Sequence, residues 1–174
     1  MLRTFAIALL VLVTVSFMTG MAAEKTHEYV GADKCKICHK GEAKGNIWEI
    51  WEKGPHAKAY QALVDKKDGS EKNAKCLPCH TTGMGKATGY VLGDTTAHNK
   101  AMANIGCEAC HGPGADYKAM NIMKDKAKAV ENGLMVSDEK ACKTCHNESS
   151  PTFKGFDFAT YWKKIEHPVK AAGK

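Results

Sequence analysis

All eight cysteines of this 174-residue chain fall in four short units, and none is left over. The units are Cys35-Lys36-Ile37-Cys38-His39, Cys76-Leu77-Pro78-Cys79-His80, Cys107-Glu108-Ala109-Cys110-His111 and Cys142-Lys143-Thr144-Cys145-His146. Thiols three residues apart face the same way on a helical turn. Both can therefore add to the vinyl groups along one edge of a porphyrin. The histidine that follows then sits under the ring as a ligand to its iron. This is the covalent haem attachment pattern C-x-x-C-H. Disulfides, common in exported chains, give no reason for a histidine after every second cysteine. Zinc sites usually combine two C-x-x-C pairs into one tetrahedron and leave the histidine equally unexplained. A thioredoxin-like pair would need a surrounding βαβ pattern, which the sequence lacks. Four covalently bound haem c groups are the reading that uses every residue of the pattern.

The chain that must position these units is poor in the usual core residues. Met1-Leu2-Arg3 begins a signal-peptide pattern, Phe5 to Met18 is apolar apart from Thr14 and Ser16, and Gly20-Met21-Ala22-Ala23 follows. Residues 1–22 read as a secretory signal cut after Ala22 or Ala23, and residues 23–174 as one tetrahaem domain. From Glu24 onward, Val, Ile, Leu and Phe make up only about 13% of residues. A chain this poor in them does not bury enough side-chain surface to offset its ordering entropy. Four large apolar porphyrins would supply the missing core, and export agrees with thioether formation outside the cytoplasmic membrane.

The net charge of +6 comes from lysine, because Arg3 is the only arginine among the 25 basic residues. Without arginine the chain lacks the side chain best suited to bidentate phosphate and base contacts, so nucleic acid is excluded as a partner. Loss of Arg3 with the signal leaves +5. Four haems, each with two propionates and about +1 at ferric or zero at ferrous iron, would bring the balance to about +1 oxidised or about −3 reduced, leaving lysines to offset propionates and steer redox proteins.

The segments between units share no further similarity, so the chain is not a solenoid. The pattern predicts a mainly α fold with extensive loops, organised around four stacked haems. Gly41 to Lys53 reads as a helix with Ile47, Trp48, Ile50 and Trp51 on an apolar face that packs against porphyrin. Pro55 opens a second helix to about Lys66. Gly83 to Gly93 reads as a loop or small hairpin around Tyr90-Val91-Leu92. Asp116 to Asn132 reads as a helix closed by Gly133, and Phe156 to Glu166 as a last helix.

Four histidines lie outside the units, His27, His56, His98 and His167, and four irons could each take one as a second ligand. Several stretches carry a family likeness. Cys35-x-x-Cys38-His39-Lys40 with Gly54-Pro55-His56-Ala57-Lys58-Ala59, and Gly106-Cys107-Glu108-Ala109-Cys110-His111-Gly112-Pro113-Gly114, resemble the tetrahaem cytochrome c-554 family of ammonia-oxidising bacteria. So does Cys76-x-x-Cys79-His80 followed by Gly83-x-Gly85 and Gly89-Tyr90. The resemblance runs from about Tyr29 to His167. It implies that His56 pairs with His146 at the fourth haem and His167 with His111 at the third. It also implies that the second haem, on His80, is five-coordinate. The family's distal histidine for the first haem falls on Asn121 here, so His98 or His27 would have to serve His39. His98, shortly before the third unit, is the better placed.

These readings converge on a periplasmic or otherwise extracytoplasmic electron carrier rather than an enzyme. It would exchange electrons with donor and acceptor redox proteins, membrane-associated ones included, as a monomer. No Ser-His-Asp set, P-loop or paired-carboxylate arrangement stands out. Two alternatives stay open. One is a haem enzyme reducing nitric oxide or a related nitrogen oxide at the five-coordinate centre. The other is a subunit of an extracellular cytochrome filament, with His27 ligating iron in a neighbour.

Overall fold

The computed structural model describes residues 25–167, so the signal-peptide assignment at residues 1–22 lies outside the described residues. Helices account for the regular structure. They are α1 (Ala32–His39), α2 (Ile47–Lys53), α3 (Ala59–Val64), α4 (Ala97–Ala101), α5 (Cys107–His111), α6 (Met120–Met123), α7 (Lys126–Glu131), α8 (Glu139–Lys143) and α9 (Phe158–Trp162). Four single 3-10 turns, at Glu42–Lys44, His56–Lys58, Ser70–Lys72 and Leu77–Cys79, join them. Among the described residues there is no strand, only an isolated antiparallel bridge between Thr81 and Ala103. The mainly helical, loop-rich class expected from the sequence is the class observed.

The helices are shorter than the sequence pattern predicts, and local backbone chemistry says why. The expected helix Gly41–Lys53 breaks because Gly45 (φ 86°) and Asn46 (φ 53°) both take the left-handed conformation, so α2 starts only at Ile47. The expected helix Asp116–Asn132 becomes α6 and α7. Asp125 leaves the helical region (φ −112°, ψ 106°) and its carboxylate accepts the N–H groups of Ala127 and Lys128, which caps α7. Asp157 does the same for α9 by accepting the Thr160 N–H. Gly133 (φ 97°) follows α7, as expected of its terminating glycine. The Tyr90-Val91-Leu92 stretch forms a loop rather than a hairpin. It is shaped by the contact of Gly89 with Gly83, where a Cβ on Gly89 would meet the Gly83 carbonyl at 1.8 Å.

Helices this short are not stable in water by themselves, and the side-chain core they share is small. Leu63, Leu77, Met102 and Tyr90 form its one buried cluster among the described residues. Trp48, Tyr117, Ala32 and Ala129 are buried elsewhere. Meanwhile Ile37 between two attachment cysteines is 77% exposed, and Met135 and Val136, beside the third unit, are exposed as well. Exposed apolar side chains around the attachment units suit packing against a bound apolar body such as a porphyrin.

Candidate haem-binding site

Each unit sits on a helical turn, which is what aims both sulfurs one way. Cys35, Cys38 and His39 lie on α1, and the third unit is the whole of α5. Cys76 and His80 flank the 3-10 turn Leu77–Cys79. Cys142 lies on α8, with Cys145 and His146 in the turn beyond it, where the Cys145 and His146 N–H groups donate to the Cys142 carbonyl at 3.2 and 2.9 Å. All eight cysteines are free thiols, none of them buried. Among the described residues no three His, Cys, Asp or Glu side chains converge as a tetrahedral zinc site would require.

The thiols also report which units are neighbours. Cys35 and Cys107 lie within hydrogen-bonding reach: their shared bond pushes the Cys35 thiol up, with burial adding to it, and pulls Cys107 down. Burial and then the field of Cys142 raise Cys110. Cys79 is pushed up to about 11 by burial and then by Cys145 beside it. The spatial order of the units is therefore first, third, fourth, second, which differs from their order along the chain.

Two histidine pairs face one another across the molecule. His56 and His146 have ring centroids 6.1 Å apart, and His111 and His167 are 6.0 Å apart. An imidazole–metal bond is about 2 Å and a ring centre lies about 1.1 Å behind its nitrogen, so a metal shared by two imidazoles puts their centroids roughly 6 Å apart. Both pairs have the spacing a six-coordinate iron needs. Burial lowers the pKa of His56, His111 and His146, with the Met135 carbonyl opposing the shift at His111. Burial likewise lowers His39, and the positive fields of His111, His167 and Lys44 add to it. Neutral imidazole is the form that binds a metal.

The remaining ring nitrogens are held by the backbone. The Nδ1–H of His80 donates to the Ala59 carbonyl at 2.5 Å, that of His111 to Met135 at 3.3 Å and that of His167 to Ile165 at 3.0 Å. Such bonds fix the tautomer and leave Nε2 free to ligate. Phe156 stacks on His146 at 4.8 Å, a support that no spacing rule in the sequence announces. Trp48 is buried with its indole N–H unpartnered by protein, so it has a donor to offer to an acceptor such as a haem propionate.

His98 and His27 are placed differently. His98 is exposed and its Nε2–H, not its Nδ1–H, donates to the Thr88 carbonyl at 2.6 Å. His27 donates from Nδ1 to Asp116 at 2.6 Å and lies against Gly133. Among the described residues neither ring stands opposite a unit histidine as His56 and His167 do, and none stands opposite His80.

The family "Cytochrome c554 and c-prime" matches residues 34–112, which hold the first three units. The chain is 27% identical over 169 residues to cytochrome c-554 of Nitrosomonas europaea, covering 83% of this chain and 68% of that one. Its fold is similar to the solved reduced state of cytochrome c554 from Nitrosomonas europaea, with a TM-score of 0.56 at 23% identity over 84% of this chain and 74% of that one. The chain is thus similar in sequence and fold to cytochrome c554, and its four C-x-x-C-H units fit four covalently bound c-type haems.

Proposed function

We propose that the protein is an extracytoplasmic electron carrier that passes single electrons between redox proteins along its four haems. The c-type cytochrome character carries the general role, electron transfer. The facing imidazole pairs 6.0 and 6.1 Å apart carry the finer one. In this reading Cys35 and Cys38, Cys76 and Cys79, Cys107 and Cys110, and Cys142 and Cys145 hold the haems by thioethers. His39, His80, His111 and His146 are the proximal ligands. His56 completes the fourth centre and His167 the third. A haem iron so held supplies reversible one-electron chemistry. The protein's own part is to keep both axial positions filled with neutral, buried imidazoles. That closes the iron to substrates and keeps the ligand set the same in both oxidation states.

The neighbourhood of the first unit with the third, the third with the fourth and the fourth with the second supports electron passage among the four centres. His80, anchored on Ala59 with no histidine ring opposite among the described residues, favours an open position at the second centre. A small ligand such as nitric oxide could bind there, and this is the observation behind the minor, enzymatic reading. The filament reading would need His27 free to reach a neighbour, whereas Asp116 of its own chain holds it. No helix among the described residues is long and apolar enough to cross a membrane.

Low-temperature electron paramagnetic resonance of the oxidised holoprotein tests the ligand sets. Low-spin signals are expected from the third and fourth centres and a high-spin ferric signal from the second. Four low-spin irons with no nitric oxide adduct on reduction would remove the open centre. Two or more high-spin irons beyond it would remove the histidine pairs.

A further inference from the structure

The second residue of the third attachment unit carries a task that haem attachment does not explain. Glu108, between Cys107 and Ala109, is only 2% exposed. Its Oε1 accepts the N–H of Gly114 at 2.6 Å and of Val30 at 2.9 Å, and its Oε2 accepts the N–H of Gly31 at 2.7 Å and of Val30 at 3.2 Å. Every contact is a backbone donor, so the group is used as a carboxylate; a protonated acid would need an acceptor for its hydrogen. Among the described residues no lysine or histidine pairs with it. The negative charge is therefore buried and balanced by amide dipoles alone.

Its three partners lie in two distant segments. Val30 and Gly31 directly precede α1, which bears the first unit, and Gly114 ends the Gly112-Pro113-Gly114 turn after the third. One side chain thus ties the base of the first unit to both ends of the third. These are the two units whose thiols, Cys35 and Cys107, come within hydrogen-bonding reach. The packing admits little play, since a Cβ on Gly114 would lie 3.0 Å from Glu108 Oε1. The field of the carboxylate is felt on all sides. Burial first and then Glu108 raise Tyr29. Burial, the neighbouring Cys35 and then Glu108 push up the phenol of Tyr117.

Resting on the haem assignment above, we propose that Glu108 is a positioning residue for electron transfer. It fixes the first and third centres relative to one another and, as a buried carboxylate, biases both toward the ferric state. Reduction of either centre takes one electron from a reduced partner protein. A negative charge at low effective dielectric disfavours the added electron, and bulk salt screens it weakly.

The test is a redox titration of the holoprotein, followed by electron paramagnetic resonance, on the native chain and on Glu108→Gln and Glu108→Asp. With Glu108→Gln, the ferrous-to-ferric ratio of two of the four centres at a fixed potential should rise about tenfold, which is about 59 mV for one electron. The low-spin signals should keep their positions. Glu108→Asp keeps the charge and should return both centres most of the way to native. Unchanged midpoints in Glu108→Gln would overturn the proposal, as would a shift in Glu108→Asp as large as that in Glu108→Gln. If Glu108→Gln yields no holoprotein, Glu108→Asp decides alone: near-native midpoints support a charge effect and a tenfold rise refutes it. Loss of haem from the native chain would instead count against the haem assignment, so the two failures are told apart.

Discussion

Replacing His56 by alanine isolates a single axial position. The backbone of residue 56 has its own work, since its carbonyl accepts the Ile105 N–H at 3.1 Å, and alanine keeps that bond and tolerates the 3-10 turn it starts. What goes is the ring 6.1 Å from His146. His146 has little freedom to compensate, because Phe156 stacks on it at 4.8 Å and Tyr161 lies 5.8 Å away. His56→Ala should therefore convert one centre, about a quarter of the iron, from six-coordinate low-spin to high-spin. The assay is electron paramagnetic resonance of the ferric protein together with its optical spectrum. Added imidazole, which fits the vacated space, should restore the low-spin signal. A low-spin count unchanged by His56→Ala would refute the pairing, and so would a high-spin signal that imidazole leaves unaltered in a folded protein.

His167→Ala should do the same at the third centre, and the double variant should move about half the iron. His98→Ala should leave every spin state as it was and lose only the bond to Thr88, a cost of about 0.5–1.5 kcal/mol in a denaturation curve. Gly89→Ala forces a Cβ onto the Gly83 carbonyl and should destabilise the holoprotein by roughly 3 kcal/mol, read as a lowered thermal midpoint. Haem-free chain should show no cooperative thermal transition by calorimetry, because among the described residues the side-chain core rests on four clustered residues; a sharp transition would contradict this. Asp157 is held below the usual carboxylate range by the Thr160 side chain and N–H. A depressed carboxylate stabilises the fold above its unfolded pKa and stops doing so as pH falls through the folded value. The α9 end should therefore loosen only below about pH 4, seen as rising Trp162 fluorescence as it moves away from haem, and Asp157→Asn should abolish that step.

How much of this was legible beforehand depended on how local the chemistry is. Thioether attachment is written within five residues, so the four units could be read directly, and so could the helical turns that carry them. The same shortness hid the helix boundaries. Asn46 adopts a left-handed backbone and Asp125 a capping one, and either residue can equally sit inside a helix. The facing of His56 with His146 and of His167 with His111 came from a family likeness, since 90 and 56 residues of chain separate the partners. Spacing alone had no means to tell these histidines from His98, whose Nε2 is tied to a carbonyl, or from His27, held by Asp116. Glu108 shows the limit most clearly. Nothing in its place between two attachment cysteines announces its burial, because the N–H groups that bury it belong to Val30 and Gly31, 78 and 77 residues away.

Intact mass spectrometry of the purified, denatured protein after acid–acetone extraction addresses the covalent haems themselves. The expected product is a polypeptide heavier by four haem groups, with modified peptides at Cys35/Cys38, Cys76/Cys79, Cys107/Cys110 and Cys142/Cys145. A mass equal to that of the bare chain would contradict it.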